Sequence, residues 1–303
     1  MSKLFFRILF GSFLAALVSA ADAYDPYTTL SDASNFIAIL ESNQNSDTVI
    51  GGGTDNSIYV YSVGNSGVSL SQTITGFANL SSIALSSDGE TLFATDLRGN
   101  AKIFARNSSG QYVSHQNISA ANSSAGCISD NAEYIAFQEV FGTYQIHKLN
   151  NTGQYNSFQN ITPIFQTIQN CYFLENNTFL VINTYHPQVY KHDGMAFAMH
   201  SLLQNNNITI LPIMAYRSPY LLQPANDASN NLVVYFHEYN QTVDAWESNF
   251  QEGNNLPNPL WNVGISPNHK FITMLGITTS VLKEGSVPSG YSLSNTLTPA
   301  RDS

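Results

Sequence analysis

Short apolar runs alternate with clusters of Gly, Asn, Asp and Ser along most of the chain, and no stretch shows a helical period. One span carries the pattern most clearly. Ser82–Ser86 (SIALS) predicts a strand, and Asp88-Gly89 a hairpin turn, because that dipeptide tolerates positive φ. Thr91–Thr95 (TLFAT) predicts a second strand, whose unbroken apolar run suits burial on both faces. Asp96–Asn100 (DLRGN) turns, Ala101–Arg106 (AKIFAR) is a third strand, Asn107–Gln111 turns again, and Tyr112–Ile118 is a fourth.

This unit repeats. NSSGQYVSHQNI begins at Asn107 and NNTGQYNSFQNI at Asn150, identical at eight of twelve positions and 43 residues apart. Val60, Ile103, Ile146 and Val189 keep the same 43-residue spacing, and each is followed by a ring: Tyr61, Phe104, His147 and Tyr190. A period of about 40–45 residues without helices means a β-propeller, one four-stranded antiparallel sheet per blade. First-to-second-strand turns are expected at Gln44-Asn45, Asp88-Gly89, Asp130-Asn131, Asn176-Asn177, Asn230-Asn231 and Asn268-His269. They predict an all-β fold of six blades, with seven as the alternative. The long interval before Asn230 holds QNNNITILPIMAYRSPY, an extended connection with room for an extra strand. The propeller spans residues 36–287. Residues 21–35 and 288–303 are candidates to close the ring, through Tyr27–Leu30 or Tyr291–Leu297.

The stretch SIALSSDGETLFATDLRGNAKIFARNSSGQY, with weaker copies through most of the repeat region, resembles the WD40-like and YVTN-like propeller superfamily. The Trp-Asp dipeptide of WD40 repeats is absent; Ala245-Trp246 is the nearest element. The resemblance implies an architecture, not an activity. The lactonase-like members of the YVTN group share the DGETLFATD-type strand pair and build their sites from several blades.

The chain's start changes the expected location. Lys3 and Arg7 precede an apolar run, Ile8–Val18, followed by small residues, so residues 1–20 read as a secretory signal peptide, with Ala23 a second cleavage point. No other segment is apolar enough to span a bilayer, so the mature product is expected to be secreted or luminal, without a membrane span. Charged residues are only 11% of the chain and the net charge is −10, with no basic run. A nucleic-acid partner, which needs clustered cations, is not expected. Nine Asn-x-Ser/Thr sequons, at Asn79, Asn107, Asn117, Asn122, Asn150, Asn160, Asn176, Asn207 and Asn240, are candidate glycosylation sites. Asn107 and Asn150 are placed in third-to-fourth-strand turns, and Asn240 in a second-to-third-strand turn.

Candidate chemistry is sparse. Cys127 and Cys171 fall in first strands of adjacent blades, as a disulfide or as two buried thiols. They precede their turns by three and five residues, an even difference, which puts them on equivalent strand faces. His147 stands where other repeats have Tyr or Phe and is expected to pack as a ring; His186 and His192 flank a third strand. Asp55 and Asp96 each follow Thr at a second-strand end, where a carboxylate can satisfy turn amides. No zinc, P-loop, dinucleotide or nucleophile-elbow motif occurs, and no catalytic residue, metal or cofactor is assigned. The pattern favours a non-enzymatic secreted scaffold that binds protein or glycan. A lactonase-like hydrolase and a structural coat or granule glycoprotein are the alternatives.

Overall fold

The computed structural model describes residues 37–43, 45, 47–64, 67–119, 123, 125–139, 142–164, 170–183, 187–203, 209–210, 215–217, 220–226, 232–252, 260–265, 271–276, 279–284 and 291–297. These residues are all-β and form six antiparallel sheets in a propeller-like fold. The leader, the N-terminal segment to residue 36, and the sequons Asn122 and Asn207 lie outside the described residues.

Leu30–Leu202 make one compact unit, with four sheets of four consecutive strands each. The first holds β1 (Ile37–Ser42), β2 (Thr48–Gly53), β3 (Ile58–Gly64) and β4 (Gly67–Ile74). The second holds β5 (Leu80–Leu85), β6 (Thr91–Asp96), β7 (Asn100–Arg106) and β8 (Tyr112–Ser119). The third holds β9 (Gly126–Ile128), β10 (Tyr134–Gln138), β11 (Tyr144–Leu149) and β12 (Tyr155–Ile161). The fourth holds β13 (Asn170–Leu174), β14 (Phe179–Asn183), β15 (Gln188–His192) and β16 (Phe197–Leu202).

The second unit has two sheets. One contains β17 (Thr209–Ile210), β18 (Ala215–Arg217), β19 (Tyr220–Asn226), β20 (Leu232–Asn240) and β21 (Ala245–Glu252). The other contains β22 (Leu260–Ile265), β23 (Phe271–Gly276), β24 (Thr279–Glu284) and β25 (Tyr291–Leu297), so Tyr291–Leu297 is a fourth strand. The fifth sheet departs from the four-strand expectation. β17 and β18 both pair with the same side of β19, so the extended connection supplies a first strand in two pieces. β19 is then second, β20 third and β21 fourth. Asn230-Asn231 lie outside the described residues, but they fall between second and third strands, and Asn240 belongs to a third-to-fourth-strand turn, not the turn expected from sequence.

The recurring dipeptide explains how successive sheets of the first unit stack. Val60, Ile103, Ile146 and Val189 lie on β3, β7, β11 and β15 and are 3%, 1%, 0% and 0% exposed. Val60 packs in the layer shared with the second sheet, Ile103 in that shared with the third, and Ile146 in that shared with the fourth. The ring that follows turns the other way, since neighbouring strand residues face opposite sides. Phe104 packs back toward the first sheet, His147 stacks on Phe137 beside the second, and Tyr190 packs back toward the third. One dipeptide thus contributes to two core layers.

At that same dipeptide the ladder to the fourth strand shifts register, in all four sheets of the unit and again at Val281/Leu282. The residue opposite the β-branched position is Gln72, Gln116 or Gln159 in the first three sheets. Each of these glutamines clasps the start of the next sheet's outer strand. Gln72 donates to the Tyr112 carbonyl and accepts from its amide, both at 2.8 Å. Gln116 does the same with Tyr155 (2.8 and 2.7 Å) and Gln159 with Phe197 (2.8 and 2.7 Å). A side-chain amide matches a backbone amide in donor and acceptor, so one residue satisfies both groups of its neighbour.

The duplicated dozen is this joint. The Asn107 side-chain Oδ1 accepts from the amides of Ser109 and Gln111, and Asn150 Oδ1 from those of Thr152 and Gln154. Gly110 and Gly153 supply φ of +77° in the turn. Tyr112 and Tyr155 send their hydroxyls to the carbonyls of Gly89 and Ala132, and Gln116 and Gln159 make the clasps.

Cys127 and Cys171 are joined as a disulfide, with Cα atoms 5.6 Å apart, linking β9 to β13 inside the third core layer. The expectation of equivalent faces is corrected. Through the ladders, Cys127 lies opposite Ala136, whose partner on β11 is Ile146, while the corresponding chain from Val189 leads through Val181 to Tyr172. Cys171 is thus one position out of phase with Cys127, and the two sulfurs meet from facing surfaces. The turn dipeptides misled the count: Asp130 opens its turn after Ser129, whereas Asn176 is the second residue after Leu174.

Two outcomes follow. Replacing Gln116 by Ala removes two inter-sheet hydrogen bonds, and should lower unfolding free energy by about 1–3 kcal/mol in urea titration. The same change at exposed Gln111, whose side chain makes no such bridge, should stay within about 0.5 kcal/mol. Thiol labelling of the denatured, unreduced protein should find no free thiol, and Cys127→Ala with Cys171→Ala should cost about 2–4 kcal/mol.

Candidate functional site

The carboxylates singled out in sequence serve the turns. Asp96 is fully buried at the end of β6 and accepts from the amides of Ala78 (3.2 Å), Arg98 (3.0 Å) and Asn100 (3.1 Å), and from the Asn100 side chain. Burial opposes its ionisation, but these donors outweigh it, and its pKa falls below the ordinary value. Asp55 accepts from the Ser57 amide at 3.2 Å and the Tyr59 hydroxyl at 2.7 Å. His147 is buried, bonds Gln145 at 3.1 Å and is held below its ordinary pKa by burial. His186 lies outside the described residues. Asn107, Asn117, Asn160, Asn79 and Asn176 are exposed, and Asn150 and Asn240 are partly exposed.

Two groupings went unnoticed in the sequence. Glu41 stands on β1 opposite Ile50, and burial raises its carboxyl to about 7, although part of its side chain still meets solvent. Its charge also raises the pKa of Tyr172 on β13, after burial, and the Tyr172 hydroxyl accepts from Asn170 at 3.1 Å. β1 and β13 are both first strands, so the acid and the phenol belong to the inner strands of the first and fourth sheets. The available signal was a lone acid in the apolar run IAILE.

The second grouping lies between the third and fourth sheets. Buried Tyr134 stacks on Phe173 and meets Phe158 and Phe197 edge-on, with centroids 6.0, 5.5 and 5.5 Å away. Above it, half-buried Phe158 and His192 stack at 6.0 Å. Lys148 Nζ sits 5.1 Å from the Tyr134 centroid and 5.7 Å from that of Phe158, and pairs with Glu133 at 3.2 Å. Burial works against ionisation of Glu133, but Lys148, Asn131 and Asn177 overcome it and lower its pKa. Met195, 81% exposed, stands in the turn that His192 braces through the Gly194 amide. Rings and a cation thus share one partly exposed surface, chemistry suited to holding a partner. His192 was flagged in the sequence; of its ring partners Phe197 lies five residues on, while Phe158 and Tyr134 come from 34 and 58 residues earlier, where no local pattern joins them. Among the described residues, no group of three His, Cys, Asp or Glu could hold a metal ion.

Comparison with protein-family models and with curated proteins finds no match. Among solved structures, the chain is similar to a candidate 6-phosphogluconolactonase from Bacteroides uniformis ATCC 8492. The TM-score is 0.64 at 11% identity, covering 86% of this chain and 85% of that one. At that identity the likeness shows the fold: a propeller-type all-β architecture.

Asp96 yields a pH-dependent outcome. Its folded pKa lies below the unfolded value near ~3.9, so its stabilisation is complete above that pH and fades as pH falls through the folded value. Asp96→Asn should lose about 1–3 kcal/mol at pH 7 and show a shallower decline between about pH 4 and 2, followed by acid-dependent unfolding.

Proposed function

We propose that the chain is an exported glycoprotein whose propeller-type scaffold binds a protein or glycan partner, without turning it over. The observation that carries this reading is the partly exposed surface of Lys148, Phe158 and His192 over the buried Tyr134 ring, with exposed Met195 in the turn that follows His192. Rings that are rigidly backed from below lose little entropy on contact, which favours binding. The Cys127–Cys171 disulfide supports passage through an oxidising compartment, as the leader-like start suggests.

A second reading, a hydrolase acting on a lactone, is supported by Glu41, whose carboxyl near 7 suits a general base, and by the fold of the lactonase neighbour. One experiment separates the two. The secreted protein and a His192→Ala, Met195→Glu variant are used to capture partners from the source organism's extracellular fluid, identified by mass spectrometry. In parallel, both are assayed against 6-phosphogluconolactone. Capture by the parent, lost at least tenfold in the variant with an unchanged melting temperature, supports the binding surface. Equal capture by both removes it. Lactone turnover that Glu41→Gln abolishes moves the function to the hydrolase reading.

A further inference from the structure

The outer strands β8 (YVSHQNIS) and β12 (YNSFQNI) each end their sheet, so one side of each backbone has no ladder partner in that sheet. Neither contains Asp, Glu, Lys, Arg or Pro. An uncharged edge of this kind is a template for pairing with another chain, and the common guards are Lys, Pro or an inward charge. These two edges carry a different feature: Asn117-Ile118-Ser119 and Asn160-Ile161-Thr162.

The two sequons are structurally equivalent. Each Asn directly follows a clasp glutamine, Gln116 or Gln159, and pairs with Lys102 or Gln145 of the third strand. Each Asn is exposed, the Ile after it is partly or fully buried, and the hydroxyl residue is exposed again. Strand alternation therefore sets the Asn and the hydroxyl on one outward face, with the Ile holding the register inward. Among the described residues, no hydrogen bond engages the Asn117 or Asn160 side chain. The turn sequons differ, since the side-chain Oδ1 atoms of Asn107, Asn150 and Asn240 already accept from backbone amides. β4 and β16 are uncharged too but hold no sequon, so the feature is confined to the second and third sheets.

We propose that Asn117 and Asn160 are N-glycosylated, and that the glycans guard the edges of β8 and β12 against strand pairing with a second copy. In the transfer, Nδ2 of Asn bonds to C1 of the first sugar of a polyprenyl-diphosphate-linked oligosaccharide. The C1–oxygen bond to the diphosphate breaks, the diphosphate leaves with the electron pair, and Nδ2 loses a proton. A hydrated oligosaccharide beside the edge strand then occupies the space an incoming strand needs. This rests on the reading of the chain as an exported glycoprotein.

The test uses the full chain expressed in a eukaryotic secretory host. Occupancy is read by peptide mapping after glycosidase treatment in isotopically heavy water, and self-association by light scattering over a concentration series. Three variants are compared: Asn117→Gln with Asn160→Gln, Asn117→Lys with Asn160→Lys, and Asn107→Gln with Asn150→Gln. Both edge sites should be occupied. The edge Gln pair should at least double in average mass where the parent stays monomeric. The edge Lys pair, with charge replacing the glycan, and the turn pair should behave as the parent. If the edge Gln pair is not secreted, the folded Asn107→Gln with Asn150→Gln variant is trimmed with an endoglycosidase, which leaves one sugar and no new charge on each edge Asn, and should at least double in average mass. Occupied Asn107 with bare Asn117 and Asn160 overturns the edge guard while export stands. Occupied edge sites whose loss leaves a monomer overturns it too. A chain with every sequon bare and Met1 retained overturns the export reading and this inference with it.

Discussion

A four-stranded sheet with two apolar faces cannot bury both by itself. In the Leu30–Leu202 unit that constraint is met by a side-chain amide standing in for a backbone one. Gln72, Gln116 and Gln159 each reach the first residue of the next outer strand and satisfy its amide and carbonyl together. The bulge that places them falls at the same dipeptide whose two side chains supply adjacent core layers. Backbone geometry, core packing and the joint between sheets are therefore set by one short segment.

The low charge of the chain has a structural counterpart. Where many proteins use ion pairs at their joints, this one uses Gln, Asn and Ser. The turn of the fourth sheet meets that of the third through Asn177 Nδ2, which donates to Asn131 at 2.8 Å and to Glu133 at 3.1 Å. Ser81 bridges to the Ser123 carbonyl at 2.6 Å, and the Ser87 amide reaches the Asp130 carbonyl at 2.8 Å. Apart from the bond to the Glu133 carboxylate these joints are neutral, which avoids the desolvation cost of buried ions and makes them insensitive to salt. Charge is kept for places such as Asp96, where several turn donors converge on one carboxylate.

Much of this architecture was legible in the sequence because its signals are local. Asp88-Gly89 and the runs TLFAT and AKIFAR specify a hairpin within a few residues, and the 43-residue spacing of Val60, Ile103, Ile146 and Val189 specifies its repetition. What failed to show was register. The Asn176-Asn177 pair sits one place deeper in its turn than Asp130-Asn131, which reversed the face of Cys171. The fifth sheet misled for a related reason. Its first strand is split into Thr209–Ile210 and Ala215–Arg217, too short to read as strands, so the remaining strands of that sheet were counted one place early. The surface around His192 was hidden more deeply, since Tyr134 and Phe158 approach it only through the stacking of two sheets.

The clasp also marks where its own series ends. In the fourth sheet the position opposite Val189 is Ser201, not Gln. Its hydroxyl lies 3.2 Å from the His200 ring nitrogen, and a side chain of that length has no carbonyl–amide pair to offer a neighbouring strand. The change comes one residue before Leu202, where the compact unit stops. In the fifth sheet the regular ladder of β20 with β21 runs without the bulge that positions a clasp. Three like joints thus bind four like sheets, and loss of the glutamine, more than any break in strand pairing, is the physical event that coincides with the end of the unit.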